Sequence, residues 1–350
     1  MSADDARPKR RALLIPFAGL VAVIVIHAVY WFVVSGQIRN QAEAWIADQE
    51  AAGYEIAHEG LSVSGYPFRF SLRAQTPDIA APEAEGGWRA GVAELAATAQ
   101  FYDLNHWIIT PAGQVALETL TDDGPARWTA AFEAARLSLS GAGGVTQRIG
   151  ASVQALTLQA ETGPAPAIEA VTALNLSGFV GEDDLFALRL QADGLRFSPD
   201  VLDPALEAAF GREAELARME ATVSAFAALA RAGDPAEWRR AGGVLDIAQI
   251  QLIWGAADIS GSGEIALDAA LLPAGRLSVV VTDPETLIGA LVDAGLVHDE
   301  QGEALSLAAL MAPRREGGIA LPFRLQGGAV FLGPARLGTF AETEGAVDGQ

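Results

Sequence analysis

Four histidines, 44 carboxylates and no cysteine set the chemistry open to this 350-residue chain. The histidines, His27, His58, His106 and His298, are far apart, and none has the His-x-x-x-His or His-Glu-x-x-His spacing that puts two imidazoles on one helix face toward zinc. Without cysteine there is no thiol nucleophile, disulfide framework, thiolate zinc site or iron–sulfur cluster. Asp122-Asp123 and Asp183-Asp184 are carboxylate pairs at turns, but neither opens the alternating-oxygen loop with a closing Glu that Ca²⁺ requires, so they read as solvated turn charge. Gly261-Ser262-Gly263-Glu264-Ile265-Ala266 superficially fits a dinucleotide loop. That loop must open a helix; here strand-like alternation follows, and the glycines are expected to turn a hairpin. No Gly-x-Ser-x-Gly elbow or Gly-Lys-Ser/Thr phosphate loop is present. These residues point to no catalytic group, cofactor or metal site, and the chain is expected not to be an enzyme. A hydrolase pair assembled from carboxylates distant in sequence is the enzymatic alternative.

The elements around these residues are more informative. Leu13–Val34 is a 22-residue run without formal charge. A helix of about 20 apolar residues spans a bilayer core with its backbone polar groups satisfied internally. Arg7, Lys9, Arg10 and Arg11 precede the run, and the next charge is Arg39, which places the N-terminus in the cytoplasm. A cleaved signal peptide is the competing reading; the run exceeds the usual apolar region of roughly 7–15 residues, and helix-compatible sequence continues after it. His27 lies inside the span and reads as a neutral imidazole near the outer interface. The net charge of −21 falls mostly beyond the span and disfavours nucleic acid and anionic surfaces as partners.

The expected layout is a basic tail (1–12), a transmembrane helix (13–34), a stalk helix (35–53), a β-rich domain (54–341) with a helical insertion near 203–241, and a flexible tail (342–350). The stalk presents Ile38, Ala42, Trp45, Ile46 and Gln49 on one face. Beyond Tyr54, short alternating runs such as Phe68/Phe70/Leu72, Leu137/Leu139 and Phe186/Leu188/Leu190 predict strands with one apolar face. Their turn-like separators favour an antiparallel meander. The fold class is therefore mainly β with helices (α+β): the membrane helix, then a long, curved, mostly antiparallel sheet with a few packing helices. Asp203-Pro204 starts one such helix, with Leu216, Met219, Val223, Phe226 and Ala230 on its stripe to Gly233. Others start at Asp234-Pro235 and Asp283-Pro284 and cover Glu303–Met311. The parity change between Leu245/Ile247 and Ile250/Leu252/Trp254 predicts a bulge near Ala248. A final hairpin turns at Gly327-Gly328.

Tyr66-Pro67-Phe68-Arg69-Phe70 is echoed by Leu321-Pro322-Phe323-Arg324-Leu325, each read as a strand begun by proline, and suggests equivalent positions in a duplicated architecture. The first of these, extended to Val63-Ser64-Gly65, resembles the opening of the bacterial domain of unknown function 2125 family. Asn105–Ile109, Trp254-Gly255 with Gly261–Asp268, and Pro322–Gly328 with Phe331-Leu332-Gly333-Pro334 resemble it in order along the chain. The resemblance implies an inner-membrane protein with a periplasmic, β-rich domain, and carries over no catalytic residues. The motif residues it singles out are Gly65, Tyr66, Pro67, Phe68, Arg69, Phe70, Pro322, Phe323, Arg324, Gly333 and Pro334. More distantly, anchored chains of consecutive amphipathic strands are similar to AsmA-like envelope proteins, whose sheets form apolar grooves. The expected function is binding or transfer of lipid or another hydrophobic ligand in a sheet groove; the alternative is an envelope assembly factor acting through protein contacts.

Overall fold

The uncharged run and the alternating sequence behind it become, in the computed structural model, one long helix and then a succession of antiparallel strands. The structure describes residues 10–121, 124–142, 145–181, 183–232, 234–315, 317–333 and 335–339. The carboxylate pair Asp122-Asp123, the motif residue Pro334, the helix stop Gly233, residues 1–9 of the basic tail and the tail 342–350 lie outside these. The chain divides into two units, Met1–Gly113 and Gln114–Gln350.

In the first unit, α1 (Arg10–Ala51) runs 42 residues, joining membrane span and stalk in a single helix. At about 1.5 Å per residue it is roughly 63 Å long, and it is long and apolar enough to cross a membrane. From Phe17 to Ile26 every side chain is exposed, whereas Trp31, Val34, Ile38, Ala42, Ile46 and Gln49 are at least partly covered. This stripe climbs by steps of three and four, the spacing of one helix face. Trp45, expected on it, lies on its flank and is 53% exposed.

The stripe docks on a small sheet. Strands β1 (Glu55–Ala57) and β2 (Gly60–Ser64) pair with β4 (Asp78–Ala80) and β3 (Arg69–Gln75), and both β3 and β4 pair with β5 (Arg89–Gln100). The register along β5 is unbroken, Gln75 opposite Glu94 and Asp78 opposite Gly91, so β3 and β4 are one strand interrupted at Thr76-Pro77. A 3-10 turn (Glu83–Glu85) precedes β5, and Phe101-Tyr102 connects it to β6 (Asp103–Thr121).

In the second unit, the end of β6 pairs with β7 (Gly124–Ala131), and both β7 and β8 (Ala134–Ala142) pair with β9 (Val145–Thr162). Each following strand then pairs with its predecessor: β10 (Ile168–Val180), β11 (Phe186–Phe197), β12 (Glu213–Val223), β13 (Leu245–Trp254), β14 (Ala257–Leu267) and β15 (Pro273–Val281). The two-residue β16 (Arg314–Arg315) pairs with the start of β17 (Gly318–Gln326), which itself joins β15. Then β18 (Ala329–Leu332) and β19 (Ala335–Thr339) complete the series. Every described pairing is antiparallel, as the alternating runs predict.

The helices are inserted between strands. Asp203, Asp234 and Asp283 cap α2 (Pro204–Phe210), α4 (Pro235–Arg240) and α5 (Pro284–Asp293), each accepting a first-turn N–H ahead of proline. Between α2 and α4 lies α3 (Phe226–Ala232), and α6 (Asp299–Met311) follows α5.

Three expectations are corrected. The helix expected from Pro204 to Gly233 is broken: α2 ends at Gly211, with φ 75° and its N–H on Glu207 O, and Leu216, Met219 and Val223 lie in β12. The segment fits both periods, and pairing on both sides by β11 and β13 overrides its Ala/Glu/Arg-rich helix propensity. Gly261 and Gly263 sit inside β14 and turn no hairpin, because a Cβ on Gly263 would meet Arg276 O at 2.1 Å and the neighbouring strand is too close for a side chain. Pro322 is the fifth residue of β17, not its first. It falls between the part of β17 paired by β16 (Gly318 and Ile319) and the part paired by β18 (Phe323–Gln326), an unpaired edge where no ladder donor is lost. Pro67 lies in a turn before β3, so the two prolines are not structurally equivalent and the duplicated architecture fails at this point. The bulge at Ala248 and the Gly327-Gly328 hairpin, with φ 56° and 74°, are as expected.

Candidate functional site

Period-two alternation puts one side chain in two on each face of a sheet, and the register decides which residues align across strands. In the second unit that alignment gives an uninterrupted apolar row of ten strands: Leu139, Ile149, Gly178, Leu188, Ala221, Ile247, Gly263, Leu277, Phe323 and Leu332. Two residues along each strand a second row follows: Leu137, Ala151, Leu176, Leu190, Met219, Ile250, Gly261, Val279 and Leu321. A third contains Ala135, Val153, Leu174, Ala192, Ala217, Leu252, Ile259, Val281 and Ile319. On the other side of the first row a fourth runs from Val180 and Phe186 through Val223, Leu245, Ile265 and Gly275 to Leu325 and Val330. The bulge at Ala248 keeps Ile247 and Ile250 on the same face, which a regular strand would separate.

Many of the intervening residues are polar. One cross-strand series reads Arg136, Ser152, Asn175, Gln191, Arg218, Gln251 and Ser260, and another Ser138, Gly150, Ser177, Arg189, Glu220 and Gln249. The sheet is thus amphipathic from β8 to β14, and its apolar rows continue through β15 to β17, nine strands in all. At about 4.8 Å between strands and about 6.7 Å between same-face residues, its apolar face measures roughly 38 by 20 Å. An apolar face of that size marks an interaction site where it is left open to solvent.

The face is only partly sealed. Helices α5 and α6 cover one end, where Leu287, Ile288 and Ala309 pack on Val281, Ile319 and Leu321. Phe226 of α3 stacks on Phe186, ring centroids 4.4 Å apart. In the longest row, however, Leu139, Ile149, Leu188, Leu277, Phe323 and Leu332 all keep some contact with solvent, and those buried are Gly178, Ala221 and Ile247. Among the described residues the only side chain that is both large and fully buried is Phe70, in the other unit. A face of this kind can take up extended apolar chains through non-directional burial.

The polar side has its own relief. A depression of about 1030 Å³ spans β13, β14, β15 and β17, where Asp246, Glu264, Arg276 and Arg324 form one cross-strand row. Like charges sit opposite one another at both ends of that row, and Arg324 lies over the Phe331 ring at 5.2 Å. Of the motif residues, Pro322, Phe323 and Arg324 thus straddle the two faces, and Gly333, with φ 57°, directs its N–H to Pro322 O at 3.4 Å.

Gly65–Phe70 belongs to the first unit and serves α1. Gly65 has φ 106° and a Cβ there would lie 2.7 Å from Arg69 Cγ, which restricts the turn to glycine. The Tyr66–Pro67 bond is cis. Phe70 is fully buried, stacked on Trp31 at 5.3 Å, while Trp31 Nε1 donates to Arg69 O at 3.0 Å. His27 is not a free intramembrane group: its Nε2 lies 2.8 Å from Pro67 O and its ring packs edge-on to Phe101. These partners, about forty and seventy residues away, were invisible to sequence periodicity.

Two further chemical candidates sit at helix starts. Asp184 accepts the Ala227 N–H at the start of α3, and His298 flanks the start of α6. Among the described residues no three His, Asp or Glu side chains gather as metal ligands. Among the described residues two surface groups depart from their ordinary ionisation. The Tyr54 hydroxyl is raised above its usual value of 10.0, chiefly by its hydrogen bond to the Glu85 carboxylate. Asp283 is lowered below 3.8, chiefly by hydrogen bonds from the Thr286 hydroxyl and N–H.

With the geometry in place, comparison with known proteins gives the family. Residues 31–341 match the family described as an uncharacterized protein conserved in bacteria, domain of unknown function 2125, and the chain belongs to it. Nothing matches it among the curated proteins or the solved structures.

Proposed function

We propose that this chain is a non-enzymatic, membrane-anchored protein of the bacterial envelope whose apolar sheet face binds lipid or a chemically similar hydrophobic ligand. The observation that carries the reading is the four aligned apolar rows left partly open to solvent. The anchor is α1, and the basic residues before the span and their absence until Arg39 favour an N-terminus in the cytoplasm with the sheet in the periplasm.

Native mass spectrometry on the full chain, extracted in mild detergent, tests it. Phospholipid is expected to remain bound, and to be lost in Leu188→Asp, which puts a carboxylate in the middle of the longest row. Retained strand content by circular dichroism distinguishes lost binding from unfolding. A natural-sequence protein that carries no lipid and acquires none from vesicles refutes the proposal.

A second reading draws on α6, where Leu307, Leu310 and Met311 are 61%, 64% and 81% exposed. An apolar helix edge of this kind suits a protein contact, and the chain then acts as an assembly factor of the envelope. Crosslinking from residue 310 in cells, giving a discrete protein adduct, supports it.

A further inference from the structure

The first unit touches α1 too far down the helix to stay clear of the bilayer. Leu13 is the first large apolar residue after the basic cluster, and among the described side chains His27 is the first to bond the rest of the unit, through Pro67 O at 2.8 Å. The fourteen residues Leu13–Ile26 cover about 21 Å at about 1.5 Å per residue. A hydrocarbon core is roughly 30 Å thick. The basic residues before Leu13 hold the inner end at the surface, so about 9 Å of core must be filled at the level of His27–Phe32. Helix tilt only enlarges that deficit.

Two turns occupy this level. Tyr66–Phe68 packs on His27 and Trp31, with ring centroids from Tyr66 at 6.0 and 5.6 Å, and Phe101-Tyr102 packs on His27 at 5.3 Å through Phe101. Tyr30 Oη also reaches Phe101 O at 3.5 Å. The outward residues of these turns are aromatic: Phe68 is 70% exposed, Tyr102 75% and Tyr66 45%. Arg69 beside them is exposed, and the neighbouring carboxylate, Asp103, accepts the Asn105 N–H at 3.2 Å. Aromatic rings with a polar edge and an adjacent arginine are the side chains that partition to the headgroup boundary.

We propose that the turns Tyr66–Phe68 and Phe101–Tyr102 enter the outer interface of the bilayer beside α1, forming a second membrane attachment that fixes how the first unit stands on the lipid. The inference rests on α1 spanning the membrane, as in the proposed function, and its test separates the two. Because the chain has no cysteine, single labels carry no background. Phe68→Cys, Tyr102→Cys, Val23→Cys and Glu83→Cys are spin-labelled in the full chain and reconstituted in phosphatidylethanolamine–phosphatidylglycerol vesicles. All four positions are exposed, so the fold is not engaged by the labels. Collision rates with oxygen, enriched in lipid, are compared with those of a water-soluble nickel chelate. Oxygen is expected to dominate at 23, 68 and 102, and nickel at 83. Lipid contact at 23 with water contact at 68 and 102 overturns the inference while the anchor stands. Water contact at 23 overturns both.

Discussion

Replacing Phe70 by alanine tests how the first unit is held to its helix. The ring is fully buried and stacks on Trp31 at 5.3 Å with 13° between planes, and Val34, Val63 and Leu72 pack around the pair. A buried Phe→Ala change costs about 3–5 kcal/mol, of which the ring pair supplies about 0.5–1.5. At about 1.4 kcal/mol per factor of ten, amide protection should fall roughly 100- to 4,000-fold where opening exposes this site. Hydrogen exchange read by mass spectrometry in detergent resolves it by peptide. Protection should collapse over β2, β3 and β5, while β10 and β11 in the second unit keep theirs. Trp31→Ala should produce the same pattern, and the double variant should lose less than the sum, since the two rings share one contact. A loss below tenfold in β3 refutes the packing argument. An equal loss in β10 and β11 refutes the independence of the two units.

The remaining predictions concern single contacts. Gly263→Val drives a side chain into the main chain of β15, 2.1 Å from Arg276 O at the Cβ, and should lower the melting temperature of the full chain sharply; an unchanged melting temperature contradicts the close approach of β14 and β15. Asp283 should titrate below 3.8 by NMR and return toward that value in Thr286→Val, which removes the donated hydroxyl. Because its folded pKa is the lower one, its contribution to stability is present above the unfolded value and disappears as pH falls through the folded one. An Asp283 titration unmoved by the Thr286 change would sink that assignment.

Much of this protein is legible in local sequence because its causes are local. A charge-free 22-residue run specifies a membrane-length helix, since helix hydrogen bonds close within the segment. Asp-Pro pairs specify three helix starts, since cap and capped N–H are two or three residues apart. Alternation specifies strands and the parity change specifies the bulge at Ala248. Other features needed the tertiary structure because their partners are remote. Glu213–Val223 satisfies two periods, and only neighbours on both sides made it a strand. Gly261 and Gly263 look like a turn until β15 is placed against them, and Pro322 looks like a strand start until its unpaired edge is located. Alternation reveals that each strand has an apolar side; it does not reveal that nine of those sides align, because register is set between strands. Nor does it reveal that Tyr66, Pro67 and Phe101 meet the helix at His27. That depth follows from where two turns, forty and seventy residues further on, are brought back to it by the sheet.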